Sequence, residues 1–197
     1  MIKNIIFDWG GVCTSGHLLK DFSLNFSEQA GKDAFEIEKV FRQLDYPYET
    51  GKIAPEIFWR DFSKTLGLKN FDDAIKVFFN SYKINADVLG HVKDLRQKYQ
   101  TILFSNNYAD LFAHMILFYR LGEYFDQWFS SSGLKFKKPE KEAYESLIAS
   151  AQIKPEETIF VDDKEKNLLP AKELGFKTIV FTDIEQLKTE LIALAIL

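Results

Sequence analysis

Short apolar runs that stop abruptly on polar residues are the feature that most limits how this chain can fold. Ile5-Ile6-Phe7 ends on Asp8, Thr101-Ile102-Leu103-Phe104 ends on Ser105-Asn106-Asn107, and Thr158-Ile159-Phe160-Val161 ends on Asp162-Asp163. Runs this short and this apolar read as strands buried on both faces. Gln127–Ser130 and Lys177–Phe181 add two more strand candidates. From residue 86 onward the strands alternate with helical stretches at 86–98, 108–120, 140–151 and 165–174. That alternation predicts a mostly parallel α/β sheet. Ligands bind such sheets at the carboxyl ends of the strands, which is where the polar residues sit.

Residues 14–85 follow a different rule. Phe35, Ile37, Val40, Phe41 and Leu44 give a helical pattern over 33–45, which Tyr46-Pro47 and Thr50-Gly51 are expected to break. A second helix is expected from Pro55 to Gly67 and a third over 71–83. No convincing strand falls in this span, so it reads as an all-helical insertion.

Bulk properties exclude several function classes. A net charge of −4 offers no electrostatic footprint for nucleic acid or an anionic membrane. No apolar stretch reaches the roughly 18 residues of a membrane span, and the N-terminal run lacks the length and cleavage site of a signal peptide. The single cysteine, Cys13, fits a reducing compartment, so a cytoplasmic location is expected. The nineteen Phe recur mostly at helical spacing, which points to core packing. The apolar ending Leu191–Leu197 reads as a terminal helix packed on the body or as a subunit contact, so a monomer or a homodimer is expected.

The strand ends carry a coherent chemical set: a carboxylate at Asp8, a hydroxyl and amide at Ser105-Asn106, a cation at Lys138 just past a strand, and paired acids at Asp162-Asp163. Each member also has a plainer reading. Asp8 can bond the amides of its own turn. Asp162-Asp163 and Ser105-Asn106 can cap the helices that follow them. Lys137 and Lys138 can be a solvated pair. An N-cap is also an anion site, so the two readings of Ser105-Asn106 coincide. His91 and His114 sit in helical patterns as structural residues, and Cys13 has no activating partner in sight.

Taken in this order, four stretches resemble the haloacid dehalogenase-like hydrolase superfamily: Phe7-Asp8-Trp9-Gly10-Gly11-Val12, Leu103-Phe104-Ser105-Asn106, Lys138-Pro139, and Val161-Asp162-Asp163 followed by Asn167. The resemblance spans nearly the whole chain. It implies a Rossmann-like core from residues 1–13 and 86–197, with residues 14–85 as a small helical cap. The phrase Glu49-Thr50-Gly51-Lys52-Ile53-Ala54-Pro55 with Phe58-Trp59 is similar to a cap segment of one branch.

The resemblance also implies chemistry. Asp8 would attack phosphorus and form an aspartyl-phosphate. Mg²⁺ would be held by Asp8, Asp163 and the backbone carbonyl of Gly10, with Asp162 behind them. Ser105 and the amide N–H of Asn106 would hold the phosphoryl oxygens, and Lys138 would balance charge. The expected activity is a Mg²⁺-dependent phosphatase acting on a small phosphorylated metabolite. The departure is Gly10, which stands where the family has a second Asp that protonates the leaving group. Loss of a general acid–base costs about 10²–10⁴ in rate. His17, in the loop that leads into the insertion, is one candidate substitute. Two alternative functions follow: a metal-independent 2-haloacid dehalogenase, against which Asp162-Asp163 argues, and a catalytically impaired binding or regulatory protein.

Overall fold

The computed structural model describes residues 1–197. Five parallel strands form one sheet: β1 (Asn4–Phe7), β4 (Gln100–Ser105), β5 (Gln127–Ser130), β6 (Thr158–Asp162) and β7 (Lys177–Val180), in the spatial order β5-β4-β1-β6-β7. The chain builds outward from β1 on one side, then crosses back to pair β6 against its other edge. This reversal creates a crevice at the carboxyl ends of β1, β4 and β6, the usual ligand position in such folds.

The period of two along β1 divides its side chains between the two layers. Ile5 and Phe7 pack with the helices α5 (Ala86–Leu95), α6 (Ala109–Phe118) and α10 (Ile184–Ala193). Ile6 faces the other layer, with α8 (Lys141–Ala151) and α9 (Glu165–Glu173). No helix is long and apolar enough to cross a membrane.

The insertion leaves and re-enters the sheet through a small antiparallel ladder, β2 (Thr14–Ser15) with β3 (Lys83–Ile84), which the sequence did not announce. Between them lie α1 (Leu18–Ala30), α2 (Ala34–Glu49), α3 (Pro55–Leu66) and α4 (Asp72–Phe79). Their shared core is aromatic: Phe22, Phe41, Phe58, Trp59, Phe62 and Phe78 are all buried. Most phenylalanines are therefore packing residues, as their spacing indicated, but Phe35, Phe118 and Phe136 are exposed.

Two helix boundaries of the insertion differ from expectation: the third helix, expected over 71–83, ends at Phe79 because Lys83 pairs in β3, and α2 runs on past its expected break. Helix α2 runs through Tyr46-Pro47 to Glu49 instead of stopping near residue 45. A proline inside a helix costs about 3 kcal/mol through its lost N–H and its steric clash. Here tertiary contacts outweigh that cost. Continuing the helix carries Tyr48 into the core, where its ring stacks 3.8 Å from Phe58 and 4.5 Å from Tyr108, while its hydroxyl donates to Asp110. The following turn passes Gly51 (φ +60°) against the short helix α7 (Ser131–Leu134). A Cβ at Gly51 would lie 2.4 Å from the Ser132 carbonyl oxygen, so only glycine fits there.

Candidate active site

Asp8 extends β1 by one residue, its N–H donating to the Val161 carbonyl on β6. The chain then makes a wide turn over residues 9–13, closed by the Thr14 N–H on the Trp9 carbonyl. Within the turn Asp8 Oδ1 accepts from the Trp9 N–H at 2.6 Å and lies 3.0 Å from Lys138 Nζ. Asp8 does bond an amide of its own turn, but Oδ2 takes no hydrogen bond.

Lys138 is no solvated surface cation: its side chain is 1% exposed. It follows α7 and a loop rather than a strand directly. Its ammonium reaches Asp162 Oδ2 at 2.7 Å, the Phe104 carbonyl at 3.1 Å and Asp8 Oδ1 at 3.0 Å. Burial works against its charge, but Asp8 and Asp162 outweigh burial and hold its pKa above the ordinary lysine value. Lys137, by contrast, reaches out to Glu49 on α2.

Asp162 and Asp163 divide into two roles. Both Asp162 oxygens are engaged: Oδ1 accepts from the Lys164 N–H and Asn167 Nδ2, each at 2.9 Å, and Oδ2 from Lys138. Asp163 is the open partner. Its Oδ1 is buried without a hydrogen bond, and only the Lys164 ammonium approaches it, at 3.5 Å. Oxygens of Asp8, Asp162 and Asp163 come within 4.8 Å of one another. An unpaired buried carboxylate oxygen is costly unless something positive occupies its lone pairs. Unspent oxygens on Asp8 and Asp163 are therefore a fitting donor pair for a hard divalent cation such as Mg²⁺, with Asp162 bracing from behind. Burial, with a further push from Asp162 and against the pull of Lys138, raises the Asp8 pKa to about 7. Burial also raises that of Asp163, against Lys164.

The two glycines of the turn are not equivalent. Gly11 adopts φ +83°, and a Cβ there would meet Asp163 Oδ2 at 2.4 Å. Gly10 has φ −70° and ψ 118°, and nothing lies within 4 Å of the place its Cβ would take. A side chain fits at position 10 but not at position 11.

Ser105 ends β4, 2% exposed, its hydroxyl 3.3 Å from the Asn106 carbonyl. Asn106 does more than its position suggested. Its side chain clamps the Lys138 backbone, donating to the Lys138 carbonyl and accepting from the Lys138 N–H, both at 2.9 Å. Its own backbone N–H donates to no protein acceptor. His17 lies on the cavity wall at the start of α1 and makes no bond to Asp8. Cys13 is buried, and burial pushes its thiol well above the ordinary range, so it stays a protonated packing residue.

These groups floor a cavity of about 670 Å³ whose far wall comes from α2 and the β3 approach, with Asp45, Glu49 and Tyr82. None of those three was legible as a site residue, because only packing brings α2 over the sheet. Asp45 sat at the end of the expected helix and Glu49 beyond its expected break, so their shared face was not visible, and Tyr82 lies between α4 and β3.

The chain is also similar to known proteins. The chain is 29% identical to D-ribitol-5-phosphate phosphatase of Bacteroides thetaiotaomicron, over 90% of its own length and 91% of the relative's. It is 26% identical to sesquiterpene phosphatase astK of Aspergillus oryzae, over 92% and 90%. A Bacteroides thetaiotaomicron enzyme crystallised with magnesium and inorganic phosphate superposes with a TM-score of 0.77 at 30% identity, covering 95% of this chain and 99% of that one. Residues 2–175 match the haloacid dehalogenase-like hydrolase family. A parallel sheet with its acids gathered at the carboxyl edge, together with a match over most of its length, places the chain in the haloacid dehalogenase-like hydrolase family.

Proposed function

We propose that the protein is a Mg²⁺-dependent phosphatase that hydrolyses small phosphorylated metabolites through an aspartyl-phosphate on Asp8. The observation that carries this reading is the state of Asp8: one oxygen is pinned by Lys138 and the Trp9 amide, the other takes no hydrogen bond, and carboxylate oxygens of Asp8 and Asp163 come within 4.8 Å of each other. The phosphatase relatives and the magnesium–phosphate complex of a similar fold support it.

In this reading one oxygen of the Asp8 carboxylate attacks phosphorus, the ester P–O bond breaks, and the leaving alkoxide takes up a proton. Water then attacks the aspartyl-phosphate, releasing inorganic phosphate and restoring the carboxylate. When bound, Mg²⁺ screens the repulsion between the Asp8 carboxylate and the phosphate dianion. Asp8, Asp163 and the Gly10 carbonyl would hold it. The Ser105 hydroxyl and the free Asn106 N–H grip the phosphoryl oxygens, and Lys138 offsets their charge, so the residues act chiefly by positioning and electrostatics. Asn106 fixes Lys138 for this task through its backbone. No acid stands at position 10, so the departing alkoxide takes its proton from water or from a donor on the wall, His17 among them. Residues 14–85 act as a cap over the core formed by 1–13 and 86–197, restricting water in the cavity.

The test is phosphate release from p-nitrophenyl phosphate and a panel of phosphate esters, with and without Mg²⁺, for wild type and Asp8→Asn. Release that needs both Mg²⁺ and Asp8 supports the reading. Turnover that survives EDTA or Asp8→Asn refutes it, and halide release from 2-haloacids in EDTA would replace it with a dehalogenase.

A further inference from the structure

The wall opposite Asp8 carries polar atoms that the protein itself leaves unused. Asp45 and Glu49 lie four residues apart on α2, on one helix face, and both line the cavity. Asp45 Oδ1 accepts from the Tyr108 hydroxyl at 2.6 Å, and Oδ2 takes no bond. Glu49 Oε2 accepts from Lys137 at 2.6 Å, and Oε1 takes none. The Tyr82 hydroxyl accepts from Asn107 Nδ2 at 3.1 Å, which leaves its proton free to donate. Two acceptors and one donor are thus unspent on residues that line the cavity. The cations on or beside this wall are already spent, Lys137 on Glu49 and Arg42 on Glu38, and the other lysines of the cavity, Lys164 and Lys166, belong to the start of α9 beside Asp163. Nothing on this wall is free to neutralise an anionic leaving group, while the Asp45 charge is unpaired by any cation.

We infer that Asp45 and Glu49 are specificity residues that select a neutral, polyhydroxylated alcohol as the leaving group, so that the substrates are polyol or sugar monophosphates. This deepens the phosphatase reading and rests on it. Hydroxyls of the substrate donate to Asp45 Oδ2 and Glu49 Oε1 and accept from Tyr82. A long apolar alcohol would leave these groups desolvated and unpaired, and sites built on hydrogen bonds reject analogues that lack the bonding group. A carboxylate on the leaving group would face Asp45. At about 670 Å³ the cavity accommodates a six-carbon phosphate ester.

The experiment compares three primary esters of equal chain length, sorbitol 6-phosphate, hexyl phosphate and 6-phosphogluconate, with p-nitrophenyl phosphate alongside. Wild-type kcat/KM should favour sorbitol 6-phosphate over both others by about tenfold or more, the effect of one hydrogen bond to a charged group. Glu49→Ala should shrink the sorbitol-to-hexyl ratio, mainly through KM. Asp45→Asn should shrink the discrimination against 6-phosphogluconate. If hexyl phosphate or 6-phosphogluconate matches sorbitol 6-phosphate in the wild type, or if both variants keep the wild-type ratios, the specificity assignment is overturned while the phosphatase reading stands. If p-nitrophenyl phosphate is not cleaved with Mg²⁺, the phosphatase reading fails first and takes the assignment with it.

Discussion

At the scale of single residues, adjacent glycines in one turn carry opposite predictions. Gly10 has an ordinary backbone conformation and open space around its missing Cβ, so Gly10→Asp fits without strain. It should raise kcat on alkyl phosphates, by up to the ~10²–10⁴ that a general acid–base supplies. Steady-state kinetics on hexyl phosphate check this; no gain would mean that another group already donates the proton, and His17→Ala would then show whether it is His17. Gly11→Ala should do harm, because φ +83° costs a side chain about 1–2 kcal/mol and the new methyl collides with Asp163. A lower melting temperature and weaker Mg²⁺ binding by calorimetry are expected together. Lys138→Met should destabilise the fold by about 3–5 kcal/mol in chemical denaturation, since it leaves Asp8 and Asp162 as buried charges without a counter-ion. The residue types of this site were legible from the sequence because the chemistry needs them and they sit next to obvious strand ends. The division of labour was not. That Asp162 has no oxygen to spare, or that Asn106 clamps Lys138, depends on hydrogen bonds across 24 and 32 residues of chain.

At the scale of elements, the contact between the helical insertion and the sheet domain turns on Asp110, on α6. It accepts from the Tyr48 hydroxyl on α2 and from Trp59 Nε1 on α3, the latter at 2.9 Å. Asp110→Ala leaves both donors unpaired, and each hydrogen bond to a charged group contributes about 1.5–3 kcal/mol. Faster amide exchange confined to α2 and α3, with β1 and β4 protected as before, is the expected result; uniform loss of protection would mean that Asp110 supports the whole fold instead. Elements that follow their own periodicity, such as α3 between Pro55 and Gly67, were readable in advance. Helix α2 was not, because a proline argues locally for a stop and only the burial of Tyr48 argues for another turn. The two-residue strands β2 and β3 were equally invisible, since each exists only as the partner of the other.

At the scale of the whole molecule, the buried acid cluster makes stability depend on pH. Burial pushes the Asp8 pKa up to about 7 in the folded protein, against about 4 in an unfolded chain. Between those values the folded state holds the extra proton, so this group costs stability as pH rises from about 4 to about 7. With Asp8 as a ligand, as proposed, Mg²⁺ would have to displace that proton, so its binding should tighten over the same window and release up to about one proton per site. Calorimetry in two buffers of different ionisation enthalpy measures the proton count, and the rise in melting temperature with Mg²⁺ should be larger at pH 7.5 than at pH 5.5. Equal shifts at both pH values would mean that Asp8 is not a ligand. By itself the sequence determined the parallel α/β core, the helical nature of the insertion and the acids at the strand ends, because hydrophobic periodicity and strand-end placement are local properties. Only the tertiary structure decided which oxygens stay unpaired, why Gly11 cannot carry a side chain, and which face of α2 looks down on Asp8. Those outcomes are set by packing between segments far apart in the chain, and no local pattern encodes the distance between them.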